Sequence, residues 1–317
     1  MTTRFAAGAC VFIASLFSAA CGLADPPSRT FLCSYGFKLL DIPTDKTARV
    51  WIPVPPDNAD QKVTIVRRDL HAATLCEEPK FGNQILNFDR TTERSASITY
   101  RVTRHEIQGR STVPSTRPAD LQALLKPDSK VPITGRFLKL VDGKTLPRDQ
   151  MALARFLYDV VDAHMAYRKD KPGFGRGDSE WACDSGFGNC TDFHSLFISL
   201  ARANHLPARF EIGLPIPSKH GKGEIPGYHC WAWFYADARG WIPVDISEAD
   251  KHPEMKEYYF GNLTADRVAF SVGRDITLVP RQSGPALNYF IYPYVEVDGQ
   301  PWPAEKIKCS FSYEDVD

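Results

Sequence analysis

Surplus charge, internal repeats and low-complexity tracts are all missing from this sequence. Lys+Arg and Asp+Glu both number 38, so the net charge is zero, and nothing points to nucleic acid or an acidic membrane surface as a partner. Without repeats, solenoid and array architectures drop out. Beyond residue 24 no long hydrophobic run follows, so no stable membrane span is expected. The early apolar run, Phe5 to Ala20, sits behind Arg4 and ahead of Gly22-Leu23-Ala24. That is the make-up of a signal peptide over residues 1–24, and it predicts export to the periplasm or beyond the cell. Ser18-Ala19-Ala20-Cys21 also leaves lipoprotein anchoring open, although Ser18 stands where a large aliphatic residue is usual.

What is present suits a soluble globular protein: 317 residues, 43% hydrophobic and 24% charged, a length that suggests two domains. Of the eight cysteines, Cys10 and Cys21 fall in the signal segment. Cys33, Cys76, Cys183 and Cys309 have the option of up to two bridges in an oxidising compartment. Cys230, inside an aromatic run, reads as a buried free thiol. Residues 25–108 carry short strand-like runs, Phe31–Tyr35, Ala48–Ile52, Val63–Val66, Ile85–Phe88 and Ala96–Val102, with Pro, Asp and Gly clusters between them. The pattern predicts a small antiparallel sandwich acting as a scaffold. Residues 109–146 read as a connection with at most one short helix. Residues 147–317 follow as a second domain, its first helix starting at Pro147 and packing on the helix of Cys190 through Leu153, Phe156, Leu157, Val160, Val161 and His164. The stretch from Leu214 to Gly227 is a long loop, a lid or a solvated insertion. The late runs at Val268–Ser271, Ile276–Leu278 and Tyr289–Val297 are expected to complete this domain's sheet.

The chemistry concentrates between Gly186 and Asp245. From Cys190, the apolar positions Phe193, Leu196, Phe197, Leu200 and Ala201 follow helical spacing. Asn189 is a good N-cap, and Gly186 and Gly188 allow a tight turn into the helix. A thiol in that first turn feels the positive end of the helix dipole, which favours thiolate. Tyr228 to Tyr235 is a strand too aromatic on both faces to be anything but central. Ala236 to Gly240 turns, and Trp241 to Asp245 returns beside it. The hairpin brings Asp245 within a rung or two of His229, giving a nucleophile, a base and an orienter in Cys190, His229 and Asp245.

Cys190-Thr191-Asp192-Phe193, Leu206-Pro207-Ala208-Arg209, His229-Cys230-Trp231 and Gly240-Trp241-Ile242-Pro243-Val244-Asp245 occur in that order. Together they resemble the transglutaminase-like superfamily of cysteine enzymes. The resemblance implies an α+β, papain-like core in which a helix-borne cysteine packs on an antiparallel sheet, preceded here by an all-β domain. It also implies that the Cys, His and Asp of the family match Cys190, His229 and Asp245. His205 stands where the family has glycine; His tolerates the left-handed region well enough for Asn204-His205 to end the helix.

The function expected is acyl transfer from an amide or peptide bond of a protein or peptide substrate through a thioester, by a peptidase, an amidase or a protein-glutamine transglutaminase. The Cys190 N–H and, more weakly, the Trp181 indole are candidate oxyanion donors. No metal or organic cofactor is implied. Other readings of Cys190 are a disulfide with Cys183, a zinc site with Cys183, His229 and Cys230, and a catalytically inactive binding module. Alternation along a strand points His229 and Cys230 to opposite faces, which disfavours the zinc site. His194 is a rival base one helical turn from Cys190, but no carboxylate is evident to orient it. His164 reads as structural.

Overall fold

A computed structural model describes residues 27–69, 73–109, 118–237 and 239–316; the expected signal segment lies outside them. Six strands open the chain: β1 Ser28–Leu39, β2 Ala48–Val54, β3 Gln61–Asp69, β4 Thr74–Glu77, β5 Gln84–Thr91 and β6 Ser95–His105. β6 alternates with period two, burying Ala96, Ile98, Tyr100 and Val102, as a strand with one face in a core should. The chain continues through β7 Ile107–Gln108, the short helix α1 Pro118–Ala123 and a 3-10 turn at Arg136–Leu140. The described part of this segment from residue 126 onward packs into the fold. Val131 and Phe137 are fully buried, and Arg202 pairs with Asp128 at 2.6 Å and with the Lys126 carbonyl at 2.8 Å.

Helix α2 spans Gln150–His164 and starts later than Pro147, because Asp149 caps it by accepting from the Ala152 N–H. Its buried face is Leu153, Ala154, Leu157, Tyr158 and Val161. The two-residue strands β8 Ala166–Tyr167 and β9 Phe187–Gly188 pair on either side of α3 Ser179–Ser185 and lead into α4 Cys190–Ala203. Every residue of α4 from Cys190 to Arg202 is buried. One side of it meets α2, and another meets the sheet built next. That helix ends as expected, with His205 in the left-handed region at φ 61°. The sheet comprises β10 Ala208–Pro215, β12 His229–Ala236, β13 Gly240–Val244 and β15 Arg267–Val272, antiparallel in the order β13-β12-β10-β15.

Both faces of this sheet are covered, which accounts for its aromatic content. Cys230, Ala232 and Phe234 share the main core with α4. Trp231, Trp233 and Trp241 fill a second cluster on the other face, where the Glu211 carboxylate accepts from the indoles of Trp231 (2.5 Å) and Trp233 (2.6 Å). Buried indole N–H groups need such a partner.

The long loop is neither a free lid nor an insertion in solvent. Its middle forms β11 Lys222–Ile225, which joins the first sheet. After α5 Ile246–Lys251 and β14 Asn262–Leu263, the end of the chain supplies β16 Tyr294–Val297, β17 Gln300–Pro301 and β18 Ile307–Asp315. Of the late runs expected to complete the sheet behind Cys190, the one at Val268–Ser271 does so, as β15. β16 pairs with β2 and β18 with β1, so the chain's end returns to its beginning. The outcome is two five-stranded antiparallel sheets, β11-β18-β1-β6-β3 and β17-β16-β2-β5-β4. Phe31, Tyr35 and Ile98 of the first share a core with Val50, Ile52 and Phe88 of the second. The six described cysteines, Cys33, Cys76, Cys183, Cys190, Cys230 and Cys309, are all free thiols, so the bridges left open by the sequence are not formed among them.

Candidate active site

Cys190 is the first residue of α4. Asn189 caps the helix, its side-chain oxygen accepting from the Thr191 N–H at 2.9 Å, while the Asp192 carboxylate reaches back to the Asn189 N–H at 3.0 Å. Asp192 also takes the N–H groups of Gly175 (2.6 Å) and Gly177 (2.9 Å), clamping the preceding loop to the first helical turn. Gly188 has no room for a side chain, since a Cβ there would stand 2.5 Å from Asp192 Oδ2. The Cys190 N–H, at the first helical position, has no acceptor within the helix.

His229 opens β12 and is 5% exposed. Its Nε2 lies 2.7 Å from Asp245 Oδ2. Nδ1 is therefore the nitrogen left for Cys190, which lines the same cleft as the ring. Asp245 follows β13 directly and caps α5. Its Oδ1 accepts from the Glu248 N–H and the Ser247 hydroxyl, both at 3.2 Å, and its Oδ2 also takes Arg267 Nη1 at 2.9 Å. In the hairpin Ala232 stands opposite Val244, so Asp245 falls diagonally across from His229, as near as the turn allowed.

These contacts set the charges. Burial alone would push the His229 pKa down, but Asp245 and Cys190 outweigh it and raise it to about 10. Burial opposes ionisation of Asp245 too, yet His229 and then Arg267 hold it well below the usual carboxylate range. Cys190 follows the same logic. Burial would raise its pKa, while Cys230 and His229 bring it well below that of an ordinary thiol. Cys190 and His229 line a cleft of about 620 Å³, and Asp245 is buried behind His229. Tyr167, Tyr228, Tyr289 and Tyr292 line it with Lys169 and Lys251.

Cys190, His229 and Asp245 are thus brought together. Trp181 is not: its ring lies edge-on to Phe187 at 5.4 Å and is absent from the cleft lining. His164 bonds the Cys183 carbonyl through Nε2 at 2.8 Å, a structural contact. Cys230 lies in the core shared with α4, 3.6 Å from His194 Nδ1, while the His229 ring neighbours Trp231. Cys183 does not join them. Among the described residues the gathered metal-ligand types are His229, Asp245 and Glu248, with ligand atoms within 4.8 Å of one another. Asp245 Oδ2 there is already shared by His229 and Arg267, which leaves a cation little free negative charge. Arg267, Glu248 and the approach of Cys230 were not found from sequence. For Arg267 the signal is the long-range pairing of β15, which no local pattern carries, whereas Glu248 had a local one in the Asp245-Ile246-Ser247-Glu248 spacing of a helix start.

The description "Transglutaminase-like superfamily" matches residues 139–246, a span that holds all three groups. Those residues form a transglutaminase-like domain. An uncharacterized protein of Haemophilus influenzae is 31% identical over 216 residues, 57% of this chain; the chain spans 58% of that relative's length. Among solved structures, a candidate cysteine protease from Cytophaga hutchinsonii aligns over 92% of each chain with a TM-score of 0.58 and 14% identity, a likeness of fold. The periplasmic domain of TgpA from Pseudomonas aeruginosa covers 71% of this chain and 90% of its own, with a TM-score of 0.39 and 14% identity. The α+β core expected from the motifs is the fold observed. Among the described residues, no helix is long and apolar enough to cross a membrane.

Proposed function

We propose that this protein is a cysteine-dependent acyl-transfer enzyme that hydrolyses an amide or peptide bond, with Cys190 as nucleophile, His229 as acid and base, and Asp245 as orienter. The observation that supports the reading is the His229 Nε2–Asp245 Oδ2 bond of 2.7 Å, which leaves Nδ1 free in the cleft that Cys190 also lines from a helix start. The Cys190 thiolate adds to the substrate carbonyl carbon, and the oxygen takes up the negative charge beside the Cys190 N–H. His229 gives its proton to the departing amine as the C–N bond breaks, leaving a thioester and a neutral imidazole. The imidazole then draws a proton from water, the hydroxide adds to the thioester, and the carboxylic acid leaves as the thiolate returns. Asp245 holds the ring in register and stabilises its charged form. The cleft opens to solvent, so water is the acceptor favoured here; a lysine amine in its place gives a transglutaminase. The β-rich residues 25–108 act as a scaffold in this reading, and export is expected from residues 1–24.

Incubation with a glutamine-containing peptide and a labelled primary amine, followed by mass spectrometry, tests the proposal. Cleavage or deamidation marks hydrolysis, and gain of the amine marks transfer. Cys190→Ala is expected to abolish either product. Turnover retained in Cys190→Ala overturns the mechanism, whereas a Cys190 inert to iodoacetamide at mildly acidic pH points to a binding module instead.

A further inference from the structure

Beside the cleft lies a second cavity of about 370 Å³, and Pro226, Gly227 and Tyr292 line both. On β18, Ile307, Cys309 and Phe311 alternate onto one face of the strand and form one wall. Ile225 of β11 stands opposite Phe311 and belongs to the same lining. The chain runs from Ile225 through Pro226 and Gly227 to His229. Gly227 thus lies at most about 7.6 Å from His229, Cα to Cα, so the two cavities join beside the base. Aromatic rings continue the path: Tyr292 is edge-on to Tyr228 at 5.8 Å and stacked with Phe311 at 6.2 Å. Tyr35, fully buried, holds both ends. Its hydroxyl donates to the carbonyl of Ile291, the neighbour of Tyr292, at 2.7 Å, and its ring packs against Phe311 at 4.9 Å.

The two cavities differ in chemistry. Lys169 and Lys251 line the cleft with the phenols, whereas none of the described residues lining the side cavity is charged. Burial pushes the Cys309 thiol up to about 11, so it too stays neutral near pH 7. A charged side chain entering here would give up its water for no partner, while an apolar one would gain by leaving it. A dry cavity of about 150 Å³ already takes a benzene-sized group, so this one has room for a leucine or phenylalanine side chain. We propose that the side cavity is a specificity pocket, which takes an apolar side chain, aliphatic or aromatic, from the substrate residue next to the reacting amide. The inference rests on the reading of the cleft as the place where Cys190 meets its substrate. Ile307, Cys309 and Phe311, all from the last strand of the chain, then select which peptides are taken.

The test labels Cys190 of the full chain with two series of alkylating amino-acid derivatives, read by peptide mass spectrometry. N-iodoacetyl amino-acid amides and N-acetyl amino-acid chloromethyl ketones place the side chain on opposite sides of the reacting carbon. Each series compares phenylalanine, leucine, alanine, aspartate and lysine. In one of them phenylalanine or leucine is expected to react at least about tenfold faster than alanine, with the charged derivatives slowest, as burial of an apolar side chain implies. Cys309→Trp, which fills the cavity, should bring the apolar rates down to that of alanine. Ile307→Asp should do the same and also lift lysine above leucine, a reversal that general loosening of the fold does not produce. Equal rates for apolar and charged derivatives in both series overturn this inference alone, and so does a preference that survives either substitution. A Cys190 that reacts with none of them, iodoacetamide included, overturns the function proposed above as well.

Discussion

On its strand side and on its helix side, Asp245 meets a buried histidine, and the two are driven in opposite directions. His229 is raised to about 10, and His194 is lowered to about 3, although both are almost wholly out of solvent. Desolvation acts alike on the two rings. What differs is the partner of Nε2: a carboxylate oxygen at 2.7 Å for His229, a backbone N–H at 3.1 Å for His194. A carboxylate accepts and so demands a proton on the ring; a backbone N–H donates and so forbids one at that nitrogen. Proximity to a nucleophile does not make a base, since His194 shares the helix of Cys190 and still cannot take its proton. The orienter decides.

Removing the shared carboxylate breaks the contrast most severely. Asp245→Ala is expected to lower turnover on the order of 10⁴-fold, and to bring the titration of Cys190 alkylation back toward that of a free thiol. It also strands Arg267, so thermal melting should show a destabilised fold, while Asp245→Asn keeps an acceptor for Nε2 and should fall between Ala and wild type. Turnover in Asp245→Ala within tenfold of wild type would separate the carboxylate from the chemistry.

Next in size are the pH slopes of stability. A histidine lowered from about 6.5 to about 3 binds fewer protons folded than unfolded between those values, so His194 makes stability fall as pH drops through that window. A histidine raised to about 10 binds more protons folded, but the Cys190 thiol gives one up on folding, so between about 6.5 and 9 the pair binds one proton in either state and the alkaline loss from His229 shows only above that. Each slope approaches about 1.4 kcal/mol per pH unit for one proton. Denaturant unfolding across pH should lose the acid-side slope of this size in His194→Gln, while in Cys190→Ala, where no thiol offsets it, an alkaline-side loss should appear above about 6.5 and vanish when His229→Gln is added. An unchanged pair of slopes would refute the assignment of the two rings. The smallest effect is expected from Glu248, whose carboxylate stands 3.7 Å from His229 Nε2 and is partly exposed. Glu248→Gln should change turnover less than about threefold, as for a solvent-screened charge.

Much of the site was legible because its signals are local. The cap at Asn189, the spacing along α4 and the turn between β12 and β13 each span only a few residues, and the sheet behind them follows. The start of α2 was misplaced because Asp149 outcompetes Pro147 as a boundary, a side-chain hydrogen bond that a propensity cannot weigh. The pairing of β16 and β18 with β2 and β1 was invisible, since a half-buried strand specifies which face is apolar but not which neighbour it will find more than 200 residues away. The same limit hid Arg267 behind Asp245.

β18 lies between β1 and β11 in its sheet, and β11 runs through Pro226 and Gly227 into His229. During synthesis, then, β1 and β11 both present open edges until residues 307–315 have left the ribosome. β11, the strand that leads to His229, therefore gains its neighbour only when residues 307–315 have taken their place beside β1.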